Sequence, residues 1–476
     1  VINGKNCSQR QMETKMWRNG PQIISLAAVI VIVLLLPSLG TSAMVLASGA
    51  TAVILVVYVL RSKPTALLFL WSIVVLATPP WISFYLVGFR IPVAAAVSVA
   101  IIAVLMGRTP NRWTLADTLV ALLAVTAVMA TSGFGSPLHL TTQVLFEWVC
   151  CYGAGRMLST ADFVLVGSRV GGVLGWLAVL QVALQLNFAR YWPFSYSSDG
   201  SQWSVLQERG DQIRAEVTLG HSIALGAVLT MLLPFALSKV RTLIDRILVA
   251  GILIGVLATF SRSAMLAALI VVLLSIIFSE IDTVRKIGAL AICAGGAWLV
   301  LRYFTDTVGS STNSVELTDS TAYREGLLGI VGQVRPLGLA GGAIPAADGV
   351  TYKWGRYYSI DNGLLYLGLY LGLVCALLFV ALLAWVLSKS IKRRSFLFSA
   401  VLLSQLPFIL TVAPITQYQN VLWLLLGAAV HPMHGRRTPS NRNAAEAEQP
   451  DVKHDQRARV DSRHRLAAAA PTLEEI

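Results

Sequence analysis

The chain has 476 residues, of which 56% are hydrophobic and 13% charged, and its mean hydropathy is +0.69. That balance excludes a soluble domain with an ordinary polar surface and places the chain in lipid. A net charge of +13 would suggest nucleic acid in a soluble protein, but here the basic residues punctuate apolar blocks, so they report topology and no nucleic-acid partner is expected.

The blocks run for roughly 15 to 25 residues, the length a helix needs to cross a hydrocarbon core of about 30 Å. Runs such as VILVVYVL and ALLFVALLAWVL do not alternate, which argues against a closed barrel. Cys7, Cys150, Cys151, Cys293 and Cys375 lack metal-ligand spacing, so neither a disulfide framework nor a metal site is implied. Residues 1–20 read as a cytoplasmic segment. The first apolar block, Ile23 to Leu36, reads as a spanning helix rather than a cleaved signal, because no small-residue cleavage site opens a soluble domain after it.

In chain order the expected spans are 21–37, 42–60, 65–87, 91–107, 113–131, 139–158, 163–188, 218–238, 247–260, 263–279, 287–303, 361–387, 396–414 and 418–431. The fold class expected is therefore all-α, a polytopic transmembrane bundle of about 12–14 spans over residues 21–434. An amino terminus inside puts Arg61, Lys63, Arg108, Arg112, Arg156, Lys239, Arg241, Arg246, Arg285, Lys286, Lys389, Lys392, Arg393 and Arg394 in cytoplasmic loops, as the positive-inside rule requires. Two outer connections are long, 189–217 and 304–360, and the second is expected to hold short helices. The polar tail 435–476 cannot bury a core and reads as disordered in the cytoplasm. With no Walker or dinucleotide fingerprint, nothing here powers an ATP-driven pump.

The outer basic residues are Arg90, Arg190, Arg209, Arg214, Arg262, Arg302, Arg324, Arg335, Lys353 and Arg356, nine arginines in ten. A guanidinium differs from an ammonium mainly in gripping phosphate or carboxylate with a bidentate fork, so the bias points to an anion. GC-rich coding is the bland alternative. Arg214 precedes His221 by seven residues in RAEVTLGHSIALG. An imidazole at that boundary serves as a base, as a donor to phosphate, or as a structural group. Arg262 falls in the turn TFSRSAM, where Ser261 or Ser263 can cap the next helix and a helix start beside arginine suits an anion. Arg324 stands near the first turn of an apolar helical pattern in YREGLLGIVGQVRPLGLAGG, which runs into Arg335 and Pro336. Trp354, Tyr357 and Tyr358 read as interface anchors.

Asp361 and Asn362 precede the run GLLYLGLYLGLVCALL, so one of them caps a helix, and a carboxylate there can also accept a proton from a sugar hydroxyl. Glu147 lies in the apolar stretch VLFEWVCCYG, where an ionisable group is expected to be functional or paired, with Arg169 one partner to consider.

Over roughly residues 210–385 the order RAEVTLGHSIALG, TFSRSAMLAALI, YREGLLGIVGQVRPLGLAGG and SIDNGLLYLGLYLGLVC resembles the bacterial O-antigen ligase and O-antigen polymerase superfamily of integral-membrane glycosyltransferases. The resemblance implies a GT-C-like bundle in the bacterial inner membrane with both termini cytoplasmic. It also implies a periplasm-facing site that transfers a glycan from an undecaprenyl-diphosphate carrier to a glycan or lipid acceptor, without metal, nucleotide or other cofactor. Membrane lipids and polysaccharide-assembly proteins are the partners it implies. Its diphosphate-binding arginines map to Arg214, Arg262 and Arg324, and more loosely to Arg335, with Asp361 or His221 acting on the acceptor. Ligases of the superfamily carry histidine where this chain has Asp361, and an aspartate is what the resemblance implies for polymerase-like members. The expectation is thus an inverting polymerase of repeat units; a ligase acting on a lipid A core is the alternative, and a flippase of a lipid-linked anion is the rival from another class.

Overall fold

A computed structural model describes residues 55–78, 83–86, 89–106, 113–187, 206–209, 212–279, 282–308, 322–323, 325–346, 352–392, 396–414 and 416–431. The expected spans at 21–37 and over most of 42–60, the cytoplasmic segment 1–20 and the tail from 435 lie outside these residues, as do Arg190 and Arg324. The described fold is all-α, its strands confined to three two-stranded hairpins.

Helix α1 (Pro64–Ala77) opens on a proline, where the missing N–H is not needed, and stops two residues before Pro79 in the sequence. A single span over 65–87 is therefore a correction: the hairpin β1 (Ser83–Leu86) and β2 (Phe89–Pro92) precedes α2 (Val93–Leu105). There follow α3 (Leu115–Gly133), then α4 (Leu138–Thr142), a π-helical stretch Gln143–Val149 and α5 (Cys150–Arg156). Next come α6 (Thr160–Leu184), the small hairpin β3 (Glu208–Arg209) and β4 (Gln212–Ile213), α7 (Ser222–Leu237), α8 (Leu243–Ala258), α9 (Arg262–Phe278) and α10 (Thr283–Val308). The hairpin β5 (Ala343–Pro345) and β6 (Tyr352–Trp354) leads to α11 (Gly363–Leu371), α12 (Leu373–Lys392), α13 (Phe396–Thr411) and α14 (Thr416–Val430). Three of these, α3, α6 and α12, are long and apolar enough to cross a membrane, which marks a membrane protein.

Helices with little polar surface to sort inside from outside associate by close packing of small residues. Gly172 and Gly175 of α6 face Gly251 and Gly255 of α8, and a Cβ on any of them would overlap the facing helix. Gly155 of α5 meets Leu424 of α14 and Gly427 meets Tyr152 in the same way. Arg156, expected in a loop, is instead 3% exposed. Its Nε lies 3.0 Å from Asp117 Oδ1, its Nη1 donates to the Val430 carbonyl at 3.0 Å, and the Tyr152 hydroxyl donates to Asp117 at 2.8 Å, so one satisfied network ties α3, α5 and α14.

The single span expected over 361–387 is two helices. They part at Gly372, whose φ is +99° and whose added Cβ would stand 2.5 Å from the Leu337 Cα. Residues 335–340 strap the break: Gly338 and Ala340 N–H donate to the carbonyls of Leu371 and Leu369 at 3.0 and 2.7 Å, and Leu373 N–H donates to Arg335 at 2.9 Å. At its start α11 is bonded to the end of α13, through Asn362 Nδ2 to the Leu410 carbonyl at 3.0 Å. At its other end the Tyr370 carbonyl accepts from Ser136, just beyond α3, at 2.6 Å. Since α3 and α13 both end there, α11 crosses the end of the helix assembly rather than running through it. The aromatic anchors are corrected in part: Trp354 and Tyr357 are buried, at 1% and 8% exposure, and only Tyr358 stays out.

Candidate functional site

The six described helix starts that carry a side-chain cap divide into two kinds. Thr114, Ser159 and Thr242 begin α3, α6 and α8 with full capping boxes, each placing an aspartate in the first turn, where it offsets the positive end of the helix dipole. His221, Ser261 and Asn362 begin α7, α9 and α11 with one side-chain cap each and no acidic residue in the first turn. Their caps are His221 Nδ1 accepting from Ile223 N–H at 3.1 Å, Ser261 Oγ from Ala264 N–H at 3.4 Å and Asn362 Oδ1 from Leu365 N–H at 2.9 Å. Among the capped starts, these three positive ends are left without a carboxylate at N3.

The same three ends come together. Gly226 of α7 lies so close to α9 that an added Cβ would sit 2.5 Å from the Ala264 Cβ, which sets the two starts side by side. Ser263 shares a 3.0 Å hydrogen bond with Thr411, the last residue of α13, and Asn362 donates to Leu410 beside it. Arg214 Nε donates to the Thr259 carbonyl at 3.1 Å, fixing that arginine to the turn that carries Ser261 and Arg262. Asp361 accepts from Ser359 Oγ at 2.7 Å, and Tyr323, whose hydroxyl donates to the Ser359 carbonyl at 2.5 Å, is held beside it. Arg214, His221, Asp361 and Asn362 are each half-buried, and Arg262 is exposed.

Electrostatics assign roles to two groups ahead of α7. Burial pushes the His221 pKa down to about 4, Arg214 pushes it the same way and Asp361 opposes. The ring is therefore neutral near pH 7. Because Nδ1 accepts the cap bond, the proton sits on Nε2, which is a donor. Glu216, 1% exposed, is pushed up to about 8 by burial, with Arg214 and the Asn187 hydrogen bond opposing. Its turn is strained, Val217 having φ +51°, and is held by Gln181 of α6, whose Oε1 accepts from Glu216 and Val217 N–H at 2.9 and 2.6 Å.

Of the residues singled out in the sequence, Arg214, His221, Arg262, Asp361 and Asn362 are thus brought to one place. Arg324 lies outside the described residues, although its neighbour Tyr323 is at Asp361. The Arg335 backbone is at the far end of nine-residue α11, about 13 Å along from Asn362 at 1.5 Å per residue. Glu147 sits in the π-helical stretch, where its carboxylate accepts from the Gln419 amide; Arg169 is exposed on α6. Arg302 stacks on Trp298 of its own helix at 5.4 Å. Sequence reasoning missed Glu216, Gln181 and Asn187, and the only available signal was a carboxylate two residues from Arg214. No protein-family model, no curated protein and no solved structure matches this chain.

Proposed function

We propose that the protein is a metal-independent, inverting glycosyltransferase of the bacterial inner membrane that uses an undecaprenyl-diphosphate-linked glycan as donor and joins repeat units into polysaccharide. On this reading the helices form a polytopic bundle, the convergent helix starts face the periplasm, and both termini are cytoplasmic. The observation that carries the reading is the meeting of three helix starts without first-turn carboxylates, at α7, α9 and α11, with Arg214 and Arg262. Backbone N–H groups, dipole ends and guanidinium forks together make a seat for a diphosphate.

The mechanism follows from the charges. The donor lipid lies along apolar helix faces with its diphosphate on Arg214, Arg262 and the helix starts. An acceptor hydroxyl attacks the anomeric carbon from the face opposite the diphosphate, the C–O bond to phosphate breaks, and the configuration inverts. Negative charge grows on the departing diphosphate, where fixed donors already point, which is stabilisation of the oxyanion-hole kind. His221, neutral and carrying its proton on Nε2, donates to a phosphate oxygen and is no base at neutral pH. Asp361, oriented by Ser359, accepts the acceptor's proton.

A flippase would also use the arginines, and the break at Gly372 gives that reading one observation in its favour. A transporter's broken helices meet at mid-membrane, however, whereas α11 crosses the end of the assembly. The test is glycan transfer by purified protein carrying Arg214→Ala or Arg262→Ala. Loss of transfer with folding intact supports the reading, and transfer at the normal rate refutes the site.

A further inference from the structure

One turn along α11 from Asn362, Tyr366 N–H donates to the Asn362 carbonyl at 2.8 Å, and the Tyr366 ring lies within electrostatic reach of Glu147. Gln143, Glu147 and Tyr366 each keep accessible surface, although Val144 and Trp148 beside them are buried. Behind Glu147 stands Gln419, 3% exposed, whose amide has one permitted orientation. Its Oε1 accepts from Gln143 at 2.6 Å and from the Trp148 indole at 2.9 Å, so its Nε2 must donate to Glu147. The carboxylate is thereby held in place from behind by a neutral amide.

Two further observations set this cluster apart from ordinary interhelical hydrogen bonding. The helix widens to π geometry over Gln143–Val149, the stretch that presents both Gln143 and Glu147, and such widenings collect at functional sites. The first turns of α14 carry Thr416, Gln417, Gln419 and Asn420 on one contiguous arc. Of these, Thr416 Oγ1, Gln417 Oε1 and Asn420 Oδ1 are buried with no donor, and Gln417 and Asn420 are 6% and 3% exposed. An amide, a carboxylate and a phenol ring that keep accessible surface, set on a layer of buried polar groups, match a saccharide, which offers several hydroxyls and an apolar ring face.

We propose that Gln143, Glu147 and Tyr366, backed by the polar first turns of α14, form the subsite for the acceptor sugar, with Glu147 accepting hydrogen bonds from its hydroxyls. The inference rests on the glycosyltransferase reading. It adds a second carboxylate, on the π-helical stretch and linked to Asp361's helix through Tyr366, which binds the acceptor while Asp361 takes its proton.

The test uses the full chain in detergent with Glu147→Gln, which keeps the side chain's size and its bond to Gln419, and Gln143→Leu as a second variant. Single-repeat oligosaccharides released from the source organism's own surface polysaccharide are titrated calorimetrically, and transfer is followed with an undecaprenyl-diphosphate-linked repeat as donor. The expected result is about a tenfold weaker saccharide affinity and a correspondingly raised acceptor KM, the loss of one charged hydrogen bond, with donor KM unchanged. Wild-type saccharide affinity and acceptor KM in both variants would overturn the subsite and leave the transferase standing. Absence of transfer by the wild type with every acceptor would remove the transferase reading and the subsite together.

Discussion

Glu216→Gln gives a prediction whose size follows from burial, less what Arg214 and Asn187 take back. In the unfolded chain this carboxyl titrates at 4.5, whereas in the folded protein it titrates at about 8. Between those values folding takes up a proton. Its contribution to stability is complete below pH 4.5 and is lost as pH rises through 8, at about 1.4 kcal/mol per unit. His221 acts in another window: its pKa falls from 6.5 to about 4, so its contribution is present above 6.5 and is lost as pH falls through 4. From pH 6.5 to 8 the Glu216 loss outweighs the last of the His221 gain, and stability should fall by about 1 kcal/mol. Glutamine preserves an acceptor for Asn187 and removes the titration. Denaturant unfolding in detergent, followed by tryptophan fluorescence at pH 6.5 and 8, is the assay. The wild type should lose about 1 kcal/mol between the two and Glu216→Gln none; parallel losses in both would refute the assignment of the buried proton to Glu216.

Further outcomes follow from the same geometry. Arg214→Lys keeps charge but loses the fork, and should weaken binding of farnesyl diphosphate, a short analogue of the donor lipid, by about tenfold in a competition assay. His221→Asn retains a strong helix cap and should leave the shape of the activity profile between pH 5.5 and 8 unchanged, because the wild-type imidazole is neutral throughout that range; a lost ionisation near 6.5 would contradict this. Gly372→Ala places a methyl against Leu337 at positive φ, and should lower the melting temperature in detergent and expose the 335–340 strap to limited proteolysis. Asn362→Ala removes a cap and the bond to Leu410, and should cost about 1–2 kcal/mol in the same unfolding assay.

Much of the site could be read from the chain because helix starts are locally encoded. Asn362 before GLLYLG and Ser261 before RSAM are polar residues at the edge of apolar runs, and both cap the helices that follow. The break at Gly372 was not readable in the same way. The residues YLGL occur twice in succession, at 366–369 and 370–373; Gly368 stays helical and Gly372 does not, and what distinguishes them is contact with Pro336 and Leu337. Glu216 was hidden for a similar reason. In RAEVTLGH it reads as part of a solvated loop, and its burial comes from Gln181 and Asn187 at the end of α6. Arg156 shows the converse, a basic residue that looks like loop punctuation and is consumed by Asp117. Local signals located the helix ends; which ends meet depended on packing between distant segments.

The most direct test of the central claim is incubation of the purified protein with a defined undecaprenyl-diphosphate oligosaccharide, alone and with a lipid A core acceptor, followed by mass analysis. The account predicts carrier lipids bearing two or more repeat units, with free undecaprenyl diphosphate released for each bond formed. Movement of the intact glycolipid across a bilayer with no new glycosidic bond in any arm would contradict it.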